Sequence, residues 1–118
     1  MKSNIIREKS FEFAVNAIHI YKLLLKKNEY VLSKQFFRSA TSIGANVEEA
    51  LAGYSKRDFA AKIAISSKEA RECLYWLRII EVGKFVDYDL QPIKSEAFEL
   101  INILTAIVKT TQKRIRET

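Results

Sequence analysis

The lone histidine, the lone cysteine and a carboxylate pair on the third helical segment are the side chains in this 118-residue chain first to be weighed for chemistry: His19, Cys73, and Glu69 with Glu72. Helical bundles that hold two metal ions draw a Glu-x-x-His motif from each of two helices. No Glu-x-x-His occurs here, and the Glu69-x-x-Glu72 spacing suits pairing with arginine or lysine. A zinc site resting on Cys73 and His19 would lack its remaining ligands. Nucleophilic catalysis by Cys73 would need a base beside it, and the sequence offers none. No glycine-rich phosphate loop is present. Cys73 reads as a small apolar core residue and His19 as a partly exposed helix residue. The expectation is a protein that is not an enzyme, with no catalytic residue, cofactor, metal ion or small-molecule substrate.

Composition sets the remaining bounds. The net charge of +6 permits contact with nucleic acid or an acidic partner without requiring it. A lone cysteine allows no internal disulfide and gives no sign of export. No run approaches the roughly 20 apolar residues that cross a bilayer, and the N-terminus lacks the features of a signal peptide, so a cytoplasmic location and no membrane partner are expected. Three glycines and one proline leave few breaks, which favours long helices.

Four amphipathic segments must position whatever function there is. The first runs from about Ser10 to Asn28, with Ser10 as its cap and residues 1–9 as an arm or a further turn or two of helix. It carries two apolar stripes, Phe11-Ala14-Ile18-Tyr21-Leu25 and Phe13-Ala17-Ile20-Leu24. The second spans Ser33 to Leu51, with Phe36, Ala40, Ile43, Val47 and Ala50 as its seam and Gly53 as its stop. Ser55 and Asp58 have capping-box spacing ahead of the third, Lys56 to Val82, whose stripe is Phe59, Ile63, Ser66, Ala70, Cys73, Leu77 and Ile80, closed by Gly83. Asp87 or Asp89 caps the fourth, which tolerates Pro92 in its first turn and continues through Ala97, Ile101, Leu104, Val108, Thr111 and Ile115. Short connections make neighbours antiparallel. The predicted fold is all-α: one domain over residues 1–118, an up-down-up-down four-helix bundle with shallow left-handed crossings.

The middle of the second segment is unusually small and polar: Ser39, Ala40, Thr41, Ser42, Gly44, Ala45 and Asn46. Glycine inside a helix costs about 1 kcal/mol relative to alanine, so a close approach by another helix is expected to compensate. Ser42 and Asn46, one turn apart, are placed to hydrogen-bond across the seam. A tight internal contact explains the stretch most simply. A ligand pocket or a subunit interface would use the same residues.

The stretches QFFRSATSIGANVEEA and SKRDFAAKIAISSKEARECLYWLRII, with KSFEFA in the first segment, resemble the four-helix bundle proteins encoded by intervening sequences in bacterial 23S ribosomal RNA genes. The resemblance covers nearly the whole chain. Its marks include Gln35, Arg38, Ser39, Ser42, Ile43, Asn46 and Glu49 on the second segment, and Lys56, Asp58, Phe59, Glu69, Glu72 and Tyr75-Trp76-Leu77 on the third. It implies a four-helix bundle and a homopentamer. It also implies likeness in fold to an accessory protein of diversity-generating retroelements that binds nucleic acid and a reverse transcriptase.

An oligomer suits the second stripes. On the fourth segment Ile93, Ala97, Leu100, Leu104 and Ile107 run beside the seam, so the first and fourth segments are each expected to keep a spare stripe for a neighbouring copy. Arg38 with Glu49, Glu69 and Glu72 is expected to form an ion-pair network that sets helix register, or a polar site shared at the inner surface of a ring. Tyr75, Trp76 and Leu77 read as core or interface anchors.

Antiparallel packing gathers ten basic against six acidic residues at one end of the bundle and eight against five at the other. The first end holds Lys56, Arg57, Lys109, Lys113, Arg114 and Arg116, the candidates for RNA or DNA backbone contact. Aromatic residues fall mostly in the seams, so no base-stacking surface is expected and sequence choice should be weak. The function expected is a non-catalytic oligomeric adaptor for nucleic acid or a nucleoprotein partner. A purely structural or protein-interaction oligomer is the alternative.

Overall fold

A computed structural model describes residues 4–117; the expected terminal turn, and Lys2 with it, falls partly outside them. Four helices follow in order: α1 (Ile5–Lys26), α2 (Val31–Leu51), α3 (Lys56–Val82) and α4 (Gln91–Arg116), with no strand among the described residues. They pack into a rod of 52 × 25 × 22 Å. Sequential helices pack against one another, α4 closes against α1, and the diagonal pairs do not meet. This is the expected up-down-up-down bundle. The tightest interface is α2 with α3, and the loosest is α1 with α4.

α1 begins earlier than the sequence suggests. Asn4 is its cap, with its side-chain oxygen accepting from the Arg7 N–H at 3.1 Å. Ser10 lies inside the helix, buried, and donates to the Arg7 carbonyl at 3.2 Å. Its small size admits α2, since Gly44 faces it: a Cβ at Gly44 would lie 3.4 Å from Ser10 Oγ. The close approach expected of Gly44 is thus made by α1. α3 has the predicted bounds, and Ser55 Oγ accepts from the Asp58 N–H at 3.1 Å. At α4 the Asp89 carboxylate accepts from the Gln91 N–H at 3.0 Å, ahead of Pro92.

The C-terminal helix ends differ from expectation in one respect. No glycine adopts a positive φ; the left-handed residues are Asn28 (φ 61°) and Lys84 (φ 56°). Each follows the cap residue of its helix. The bonds Lys84 N–H to Glu81 O (3.1 Å) and Phe85 N–H to Ile80 O (3.1 Å) make a Schellman ending. Gly83 stands one position too early to serve as its left-handed residue. It makes room instead, because a Cβ there would fall 2.4 Å from the Phe85 ring. Asparagine tolerates the left-handed region better than lysine, for which it costs about 1 kcal/mol. Lys84→Gly is therefore expected to raise the melting temperature by a few degrees in calorimetry, whereas Asn28→Gly should change it little.

The core draws on all four helices, with Phe13, Phe36, Ile43, Ile63, Leu77, Leu100 and Leu104 at its centre. Of the two stripes on α1, the inner one is Phe13-Ala17-Ile20-Leu24, joined by Ile6 and Ser10. Of the other, Phe11 is 67% exposed and Ile18 39%, whereas Ala14, Tyr21 and Leu25 are half-buried; Val15, beside the stripe, adds to the outward patch at 47%. On α4 the two sets merge. Ile93, Ala97, Leu100, Ile101 and Leu104 are all buried, so α4 keeps no second stripe of the kind α1 has. The reason is geometric: the two α4 sets share Ala97 and Leu104 and form one broad face.

Candidate nucleic-acid interface

The basic candidates come from two helix ends that antiparallel packing brings together. Lys56 and Arg57 open α3, and Lys109, Lys113, Arg114 and Arg116 lie on the last turns of α4. All six are exposed. The basic residues around them are taken: Arg7 Nε meets Glu48 Oε2 at 2.8 Å, Lys9 Nζ meets Glu99 Oε1 at 2.9 Å, and Lys62 Nζ meets Glu49 Oε1 at 2.8 Å. None of the six makes an ion pair or side-chain hydrogen bond to another described residue. Their position explains this. Residues 113, 114 and 116 belong to the last turn, where cations complement the free carbonyls of the helix end. Asp58 and Glu117 are the acidic residues nearest them in sequence.

Two shallow clefts collect four of these cations. One, of about 340 Å³, has Lys56 and Arg114 on its rim, with Leu51, Gly53, Tyr54 and Phe59 beside them. The other, of about 460 Å³, sets Arg57 against Arg116 across small residues Ala60, Ala61 and Ala64. Lys109 and Lys113 line neither cleft; with Arg116 they follow the i, i+4, i+7 spacing of one helix face. A surface of this kind holds phosphates through charge and counterion release.

The aromatic residues differ from expectation. They do not fall mostly in the seams: four of the five tyrosines, Tyr30, Tyr54, Tyr75 and Tyr88, are exposed, as are Phe11, Phe85 and Phe98. Tyr54 stands alone at the basic end and is fully exposed. The signal for it was present in the sequence. Tyr54 sits between Gly53 and the cap Ser55, outside every helical stripe, so no seam claims its ring.

The motif residues of α2 and α3 form a separate cluster along the side of the bundle. Arg38 Nη1 meets Glu69 Oε2 at 3.0 Å, and Nη2 meets Glu72 Oε1. The same Glu72 oxygen accepts from Trp76 Nε1 at 3.1 Å. Glu49 is not part of this network, since Lys62 holds it. Ser42 and Asn46 do not bond across the seam either; Asn46 Nδ2 donates to the Ser42 carbonyl of its own helix at 2.9 Å. The bond across the seam is made by buried Ser66, whose hydroxyl donates to the Ile43 carbonyl at 2.8 Å. Cys73 lies in the same interface, and burial pushes its thiol up to about 12, so the reactive thiolate is absent at neutral pH. Leu77 is buried, Trp76 half-buried and Tyr75 exposed.

The hydrogen bond from Arg38 holds the Glu72 carboxyl below its usual range, and Trp76 adds to the effect. A depressed carboxyl stabilises the fold above its unfolded pKa, and that contribution disappears as pH falls through the folded value. Arg38 is 48% exposed, so the bridge contributes only about 1 kcal/mol. Arg38→Ala is expected to lower the melting temperature by a few degrees at pH 7, with the gap closing below about pH 4, and to shift the emission of Trp76. An unchanged melting temperature at pH 7 would show that the cluster does not hold α2 to α3.

Among the described residues no group of three or more His, Cys, Asp or Glu is placed to bind a metal ion, and no helix is long and apolar enough to cross a membrane. Comparison with known proteins supplies the family. The family model of the 23S rRNA-intervening sequence protein matches residues 2–106. The match stops before Lys109, so four of the six basic candidates lie beyond it. Among solved structures, the chain resembles a protein of unknown function from the S23 ribosomal protein family of Bacteroides thetaiotaomicron, solved at 1.70 Å resolution. The two are 39% identical with a TM-score of 0.85, over 88% of this chain and 98% of that one. No curated protein matches. The chain belongs to the 23S rRNA-intervening sequence protein family.

Proposed function

We propose that this protein is a non-catalytic, homo-oligomeric adaptor of the cytoplasm that grips RNA or DNA by its phosphate backbone. The observation that carries the proposal is the division of charge at one end of the rod. There Arg7, Lys9 and Lys62 are neutralised by carboxylates, while Lys56, Arg57, Lys109, Lys113, Arg114 and Arg116 face water with no acidic partner. Since Lys109 to Arg116 lie outside the family match, the nucleic-acid reading rests on this chain's own residues. The binding is sequence-tolerant, because phosphate contacts position a strand without reading its bases. A strand held at two salt concentrations tests it: retention at low salt that falls steeply as salt rises is expected, and no retention even at low salt removes the proposal.

The oligomer is supported by the outward stripe Phe11-Val15-Ile18 on α1, which a second copy would cover. A closed ring, five-fold as the family resemblance implies, would repeat the basic end around one axis. Light scattering at micromolar concentration should report the assembly; a clean monomer there ends the oligomer reading. The same stripe supports the second reading, a protein-interaction oligomer with no nucleic-acid role. An assembly that forms but retains no strand would favour it.

A further inference from the structure

We propose that Tyr54 stacks on one unpaired base, so that the basic end of the bundle takes single-stranded in preference to double-stranded nucleic acid. This inference rests on the proposed function and narrows its ligand. The other exposed tyrosines each have a partner within the chain. Tyr30 donates to Asn28 Oδ1 at 2.9 Å, the Tyr75 ring packs edge-on against Trp76 at 5.4 Å, and the Tyr88 ring meets His19 at 4.7 Å. Tyr54 has no hydrogen bond and no ring contact with any described residue, and its side chain is wholly in water. It contributes nothing to the fold that a smaller polar turn residue would not.

Its surroundings give the ring a use. The cleft of about 340 Å³ beside it brings together Lys56 and Arg114, one from each of the two helix ends, over an apolar floor of Leu51 and Phe59. Phosphates held by those two cations place the intervening base near a free aromatic face. Aromatic side chains combined with a basic groove are how proteins bind single strands with little sequence preference, because every base offers a π-face. A duplex cannot use the ring, since its bases already stack on one another.

The test uses the full chain and three labelled probes: oligo(dT) and oligo(rU) of about 12 nucleotides, and a DNA duplex of the same length, at about 50 mM salt where phosphate contacts are strong. Tyr54→Ala is expected to weaken both single strands about tenfold while leaving the duplex within about twofold, and Tyr54→Phe, which keeps the ring, should bind like the parent. Loss on only one single strand would still support stacking and would identify RNA or DNA as the ligand. Single-strand affinity unchanged in Tyr54→Ala, equal weakening of the duplex, or a Tyr54→Phe variant as weak as alanine would overturn the inference while leaving the basic-end reading intact. Failure of the parent chain to hold any of the three probes would remove both.

Discussion

Replacing Lys109, Lys113, Arg114 and Arg116 together with glutamine should weaken binding of a nucleic-acid strand by about 100- to 1,000-fold at 0.1 M salt, the largest effect expected of any change to this protein. Each lost phosphate contact removes about 0.9 from the salt slope on duplex and about 0.7 on single strands, so four contacts should flatten the log–log plot by about 3. The fold should survive. These side chains make no ion pairs with other described residues, and what glutamine removes is their favourable placement at the negative end of α4, about 1 kcal/mol in all. Melting temperature measured on the same samples separates lost binding from lost structure. A matched variant at the opposite end, with Lys22, Lys26, Lys27 and Lys34 changed to glutamine, controls for net charge. If both variants lose affinity alike, the chain binds by overall charge and the α4 terminus has no special role.

Ser66→Leu is expected to have the largest effect on stability, about 3 kcal/mol, read as a fall of roughly 10 °C in melting temperature. Ser66 is fully buried where α3 lies against α2, and its hydroxyl donates to the Ile43 carbonyl at 2.8 Å. The residues around this crossing are small: Ser39 and Ala40 on α2, Ala70 and Cys73 on α3, all with no exposure. Such a seam lets two backbones approach closely, and a leucine there has nowhere to go without separating the helices. Ser66→Ala removes only the hydroxyl. It should cost about 1 kcal/mol, which isolates the hydrogen bond from the packing. A leucine variant as stable as the alanine variant would show that the seam is loose enough to refill.

The bundle was legible in the sequence because long uninterrupted amphipathic segments allow few alternatives. Both ends of α3 are legible, since Ser55 is an unambiguous cap and a seven-residue stripe runs its full length. The true start of α1 is not legible at Ser10, because serine ahead of an apolar run signals a cap equally well whether or not another cap precedes it. Here Asn4 does, and it lies a turn and a half upstream. The Arg38 cluster was legible as to its helices, and Glu69 and Glu72 as its partners. Glu49 does not join it, because Lys62, on α3, holds that carboxylate across the same interface. The six cations were visible as charges. That they are left over after Arg7, Lys9 and Lys62 find carboxylates depends on which acids lie opposite, and a linear reading does not contain that.

The sequence by itself determined the number and course of the helices, that the small-residue middle of α2 admits a close neighbour, the burial of Cys73 and membership of the family. Periodicity encodes these directly, because a helix repeats its faces every 3.6 residues whatever surrounds it. Tertiary structure alone decided which of the two α1 stripes turns inward, which ions pair, that Arg57 meets Arg116 in one cleft, and that Tyr54 is left in water beside Lys56 and Arg114. Those outcomes depend on the rotation and vertical offset of each helix against its neighbours. Both are set by how four side-chain surfaces interlock at once, which no single helix specifies.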